Sequence, residues 1–417
     1  MRLPKILAAA ASLLLSATSA TAATPYSQQM AASIMSRGQG IMTGSGGASE
    51  LLQAGFTQKA FTALAAQYAD DDADLADEVR AYVVRSAESV APFVANATKD
   101  ALEYPMDRLS NGNALLAFSQ SPPAGANLTA DGFGAAAVAL RASIDLNRRN
   151  DEGGLWYFTY PYWSYLDGMY SLAPFYTLSA LANAKNDTNA TRAALDDMLL
   201  QLDLLWQHCR NESSGLLVHG YDASKTAVWA DPATGASPHV WGRSLGWYLM
   251  ALVDTLEILS SPSYSASTCS LLKSYARRVG DKFRALAPAV AAAADPASGA
   301  WWQVLDEPGA EGNYIESSGS AMFAYALLKG SRLGYLDGVN GSASFADVGV
   351  RATGYLTSSF VVDNGNGTLG YNGTVSVCSL NSTASYEYYV GQPINYNSVL
   401  GSAAYVLASL EVERLSQ

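Results

Sequence analysis

Residues 237–257 read SPHVWGRSLGWYLMALVDTLE, a cluster of ring, cation and glycine residues that runs straight into an apolar periodic segment. Leu249, Leu252, Val253, Leu256 and Leu259 recur at helical spacing, which predicts a buried helix anchoring the loop ahead of it. In that loop His239, Trp241, Arg243 and Trp247 have the chemistry of a sugar site. Indoles stack on pyranose faces, a guanidinium clamps a carboxylate and an imidazole moves a proton. Gly242 and Gly246 read as turn positions that avoid a Cβ penalty. Taken singly, each Trp is explained as core and Arg243 as a structural ion-pair partner; the combination is what favours a site.

Working outward, the same periodicity recurs in Leu75, Val79, Tyr82 and Val83 and again from Leu195 to Trp206. Further helices are expected near 50–68, 112–119, 132–146, 166–184, 266–286, 317–333, 343–359 and 397–414, whereas alternating strand patterns are scarce. Turn-rich segments such as Asp151–Gly154, Asp231–Pro238 and Asp306–Gly312 separate them without a long linker. An all-α chain of this kind can close into an (α/α)6 six-hairpin toroid with aromatic loops at one mouth. An open solenoid is disfavoured by the lack of a fixed short repeat.

The chain opens with Arg2 and Lys5, an apolar run from Ile6 to Leu15 and the small residues Ala20-Thr21-Ala22. That pattern predicts a secretory signal over 1–22, followed by a single catalytic domain over 23–417 and a secreted, extracellular location. No later apolar run approaches the roughly 20 residues of a membrane span. Glycosylation acceptors occur at Asn96, Asn127, Asn186, Asn189, Asn211, Asn340, Asn366, Asn372 and Asn381, and these should be surface loops. Cys209, Cys269 and Cys378 allow one disulfide with one thiol over. The formal charge of −12, without a basic run, argues against a nucleic acid partner. It also means that an acidic substrate must be held by a local cation such as Arg243 and is expected to be short. His208, His219 and His239 lack the i, i+4 zinc spacing, so no metal is expected.

Two carboxylates stand out. Asp167, in YWSYLDGMYSLAPF from 162 to 175, precedes an apolar helix. An N-cap would explain it; alternatively Trp163, Tyr165 and Tyr170 desolvate it, so that it holds a proton near neutral pH. Asp107, in MDRLSNGNALL from 106 to 116, is placed alike, and a carboxylate pair on separate loops is the usual equipment for glycoside chemistry. His219, in GLLVHGY, reads by default as a satisfied core histidine.

These motifs, with WADPATGASPHVWGRSLGWYLMALVDTLE, WWQVLDEPGAEGNYIESSGSAMFAYAL and SYEYYVGQPINYNSVLG in order, resemble the unsaturated rhamnogalacturonyl hydrolases of glycoside hydrolase family 105 from about Asp107 to Gly401. The resemblance implies an (α/α)6 toroid without a cofactor that acts on a short oligosaccharide ending in a 4,5-unsaturated uronate. It implies Asp167 as the acid/base, with Asp107, His219, Trp241, Arg243 and Trp247 lining the pocket; His239 and Trp163 are added from their setting. A carboxyl group would protonate the C4=C5 enol ether, water would add at C5, and the hemiketal would open to release the aglycone. The chain is expected to act as a monomer.

Tyr157, Phe158 and Thr159 stand where many relatives carry a His after Gly-Leu-Trp, and Ser398 stands where an acid is frequent. These departures bear on substrate preference. The alternatives are an unsaturated glucuronyl hydrolase acting on other polysaccharide fragments and a non-catalytic carbohydrate-binding toroid.

Overall fold

A computed structural model describes residues 24–45, 47, 49–182, 187–340 and 344–415; the expected signal over 1–22 and the acceptor Asn186 lie outside them. Fourteen α-helices are present among the described residues. They are α1 (Tyr26–Ser36), α2 (Glu50–Gln67), α3 (Ala73–Val90), α4 (Ala97–Glu103), α5 (Gly112–Gln120), α6 (Ala130–Leu146) and α7 (Asp167–Ala182). In the second half follow α8 (Thr188–Cys209), α9 (Gly242–Leu259), α10 (Ala266–Ala292), α11 (Ser317–Arg332), α12 (Phe345–Phe360), α13 (Tyr386–Val390) and α14 (Val399–Leu415). Two small antiparallel pairs are also present among the described residues, β1 (Trp163–Tyr165) with β2 (Gly220–Asp222) and β3 (Val361–Asp363) with β4 (Leu369–Tyr371).

The inner wall is a closed ring. It runs from α2 to the 3-10 turn Met106–Asn111 that leads into α5, then to α7, α9, α11 and α14, and α14 packs back on α2. An outer helix covers each member: α3 on α2, α6 on α5, α8 on α7, α10 on α9, α12 on α11 and α1 on α14. This is the (α/α)6 toroid, and the apolar pattern explains its two layers. In α9, α11 and α14 nearly every residue is buried, as expected for helices apolar all round. In α10 only a stripe is buried, including Leu272, Tyr275, Val279, Phe283, Leu286 and Val290.

Small residues let the inner helices touch. Gly246 lies inside α9, where a Cβ would meet Met322 at 3.0 Å, and a Cβ on Gly242 would meet the Trp302 carbonyl oxygen at 3.1 Å. The turn role expected for these glycines is therefore corrected to one of close helix packing. Charge also pins the ring: Asp254 of α9 takes Lys59 of α2 at 2.8 Å and Lys329 of α11 at 2.7 Å, and accepts from Tyr325 Oη at 2.7 Å.

All three cysteines are free, Cys209 and Cys378 buried and Cys269 exposed, so the disulfide that their number allows is not formed. Asn96, Asn127, Asn189, Asn211, Asn340, Asn366, Asn372 and Asn381 are exposed, as acceptor positions require. Among the described residues no helix is long and apolar enough to cross a membrane.

Candidate active site

The N-terminal turns of the inner elements meet at one mouth of the ring, around a cavity of about 570 Å³. Glu50 and Leu51 of α2, Asp107 of the 3-10 turn, Asp167 of α7, Trp241, Arg243 and Trp247 at the start of α9, and Leu400 of α14 all line it. The loop between β1 and α6 contributes Tyr157, Phe158 and Tyr160, and Tyr165 follows from β1. Because these helices point their N-termini inward, their dipoles favour negative charge at the mouth.

Asp107 is 5% exposed. Its Oδ2 accepts from Tyr157 Oη at 2.8 Å, while Oδ1 is buried without a hydrogen-bond partner. Burial lifts the carboxyl to about 7; the Tyr157 hydrogen bond works against this and the nearby Asp167 charge adds to it. The backbone shares in the hold on this turn, for Met106 N donates to the Tyr157 carbonyl at 2.9 Å.

Asp167 is the first residue of α7, and its carboxyl turns across to α9 instead of capping its own helix. Ser244 Oγ donates to Oδ2 at 2.5 Å, and His219 Nε2 lies 3.2 Å from the same oxygen. Close packing sets this position, since a Cβ on Gly168 would meet Met106 Sδ at 3.0 Å. His219 is fully buried, and its Nδ1 pairs with Tyr389 Oη at 2.8 Å. The imidazole thus stands behind Asp167 and outside the cavity wall, with both ring nitrogens turned to protein groups.

Three expectations are corrected. First, the Arg243 guanidinium is spent on the scaffold: it donates to the carbonyl oxygens of Val375 (2.6 Å) and Ser376 (2.7 Å) and to Ser318 Oγ (3.2 Å). It also lies 3.9 Å from Glu316 Oε1 and over the Trp241 ring, so it ties loop 375–376 to α9 and α11 and is no free carboxylate clamp. Second, Trp241 and Trp247 are each 1% exposed. Trp241 donates to Gln303 Oε1 at 3.1 Å and Trp247 packs edge-on against Phe56, so both are wall and not open platforms. Third, His239 and Trp163 lie outside the cavity lining. His239 pairs with Asp306 at 3.1 Å, a bond that raises its pKa, in a surface group with Glu307. Trp163 packs edge-on against Trp229. Of the rings expected around Asp167, Tyr165 lines the cavity, whereas Tyr170 is in the core against Phe56 and Trp247.

Sequence reasoning missed Tyr157, Ser244 and Tyr389, which hold Asp107, Asp167 and His219 respectively. Tyr157 was visible only as a departure from the relatives. Ser244 sits one residue past Arg243 but becomes meaningful only once α9 is laid beside α7, and Tyr389 is one of three tyrosines within four residues.

A family model described as Glycosyl Hydrolase Family 88 matches residues 53–416. Protein Atu3128 of Agrobacterium fabrum is 37% identical over 206 residues, 48% of this chain and 83% of that protein. A family 105 glycoside hydrolase of C. acetobutylicum ATCC 824 superposes with a TM-score of 0.74 at 29% identity, over 94% of this chain and 100% of that one. The unsaturated glucuronyl hydrolase of Bacillus sp. GL1, responsible for the degradation of glycosaminoglycan, shares the fold at 14% identity and a TM-score of 0.58, over 93% of this chain and 95% of that one. With a family match over nearly its whole length and a buried carboxyl pair at the mouth of a helical toroid, the chain belongs to the glycoside hydrolases of the family 88 and family 105 group.

Proposed function

We propose that the protein removes a 4,5-unsaturated uronic acid from the non-reducing end of lyase-generated rhamnogalacturonan oligosaccharides, by hydration of the C4=C5 bond. The observation that carries this reading is a cavity shared by two buried carboxyls, one of which holds a proton near neutral pH. Protonating an enol ether needs such a site, whereas two exposed aspartates would be fully ionised at pH 7.

A bound uronate adds a negative charge beside the pair, and like charge keeps one shared proton on the site. We assign proton transfer to C4 to Asp167, on whose Oδ2 Ser244 and His219 converge. Positive charge then develops at C5 and the ring oxygen, and Asp107, ionised while the shared proton is on Asp167, supports it. Water adds at C5, giving its proton to the Asp167 carboxylate, and the hemiketal opens to release the aglycone. Family membership supports the hydrolase class. The pectic preference rests on the lining, in which Met42, Leu51, Leu52, Phe93, Phe158, Val377 and Leu400 are apolar and the cation, Arg243, is already engaged. A sulfated aglycone would find no free cation among these residues. As a secreted protein carrying glycans, it would meet such fragments outside the cell.

The test is loss of the double-bond absorbance on unsaturated galacturonyl-rhamnose and on an unsaturated glucuronyl disaccharide. Faster loss on the first is expected. Preference for the second moves the substrate away from pectin, and loss on neither sinks the hydrolase reading.

A further inference from the structure

The rings beside the carboxyl pair form a row that continues past the cavity. Tyr157, which holds Asp107, stacks on Tyr165 with centroids 4.3 Å apart and planes at 9°. Tyr165 lies nearly parallel to Tyr160 at 6.3 Å and 16°, and Tyr160 leans on Trp163 at 5.4 Å and 34°. The three tyrosines line the cavity, while Trp163 lies beyond its wall and is partly exposed. The row therefore leads from the reacting groups toward the surface and carries no ionic side chain.

The backbone under this row is held firmly. Tyr157 N donates to the Trp163 carbonyl at 2.9 Å, and Trp163 pairs with Asp222 across β1 and β2. Between them Tyr162 sits at φ 65°, a left-handed conformation costly for a side chain of this size, and its carbonyl accepts from Ala223 N at 3.1 Å. Flat rings on a loop held in this way offer stacking area to the C–H faces of a sugar at little cost in side-chain freedom.

Direction follows from the chemistry. A terminal uronate has nothing beyond its own non-reducing end, so whatever emerges from the cavity belongs to the leaving group. Resting on the hydrolase reading above, we propose that Tyr160 and Trp163 form an outer subsite that stacks on the second sugar of the leaving group, one residue beyond the sugar bonded to the uronate. The protein would then act on trisaccharides and longer chains in preference to disaccharides.

The experiment compares kcat/KM, read from the double-bond absorbance, on an unsaturated disaccharide and on the trisaccharide that extends it by one sugar. For the wild-type protein the trisaccharide-to-disaccharide ratio should be roughly three to ten, the worth of one aromatic stack. In Trp163→Ala the ratio should fall toward one, and Trp163→Phe should keep part of it. Equal rates on both lengths in the wild type, or an unchanged ratio in Trp163→Ala, would overturn the proposal. Should neither length lose its double bond, the hydrolase reading fails by itself. The subsite is then decided by calorimetric binding of the same two oligosaccharides, where equal affinities in the wild type would overturn it and a Trp163-dependent gain for the trisaccharide would uphold it.

Discussion

Tyr157 Oη donates to Asp107 Oδ2 at 2.8 Å, while Oδ1 of the same carboxyl is buried without a partner. A donor on Oδ2 favours the ionised carboxyl, so it opposes the burial that lifts Asp107 to about 7. Tyr157→Phe removes the donor and keeps the ring stacked on Tyr165. The Asp107 carboxyl should then hold its proton to higher pH, moving the alkaline limb of the pH profile of kcat/KM up by roughly one pH unit. An unmoved or lowered limb would separate this hydrogen bond from the reacting proton.

Asp167→Asn should fold normally and bind substrate at near wild-type strength, because the amide oxygen can still accept from Ser244. Turnover should fall at least about a thousandfold, since the amide cannot donate the proton that C4 needs. Wild-type turnover in this variant would remove Asp167 from the chemistry.

Asp107→Asn separates activity from stability. The folded carboxyl binds its proton up to about 7, whereas the unfolded one releases it near 4, so the folded state takes up protons between these values and loses stability as pH rises through that window. An amide carries no such penalty. Thermal melts should show the variant gaining on the wild type from pH 5 to pH 8, by an amount on the order of 2–4 kcal/mol, while turnover drops. Parallel melting curves at all pH values would argue that the carboxyl ionises freely in the fold.

Asp254 sits between Lys59 and Lys329 in the ring and is not among the residues that line the cavity. Asp254→Ala strands two ammonium groups among α2, α9 and α11, and should lower stability in urea by about 3–5 kcal/mol. Asp254→Asn, which keeps an acceptor for Tyr325, should lose less. Equal losses would mean that packing and not charge dominates there.

Arg243→Lys should reduce Tm through lost scaffold contacts, because one ammonium cannot span the Val375 and Ser376 carbonyls together with Ser318. If the variant instead raised KM with an unchanged Tm, Arg243 would hold substrate after all.

The helices were legible in the sequence because each is written locally. Leu272, Tyr275, Val279 and Phe283 announce one buried stripe of α10 whatever lies against it, and α9 begins where the apolar spacing of Leu245, Leu249 and Leu252 begins. Asp107 and Asp167 could be singled out for the same reason, each standing ahead of an apolar helix within a motif. Their surroundings could not. Whether Arg243 meets a substrate or two carbonyls at 375 and 376 depends on a loop more than a hundred residues away, and whether Trp163 enters the cavity depends on how β1 pairs with β2. Nothing in the chain near Asp107 tells that Tyr157 will reach it and that closure of the ring will bury it. A pattern of burial repeats along the chain and can be read there, while a proton affinity is set by partners that only the closed toroid brings within hydrogen-bond reach.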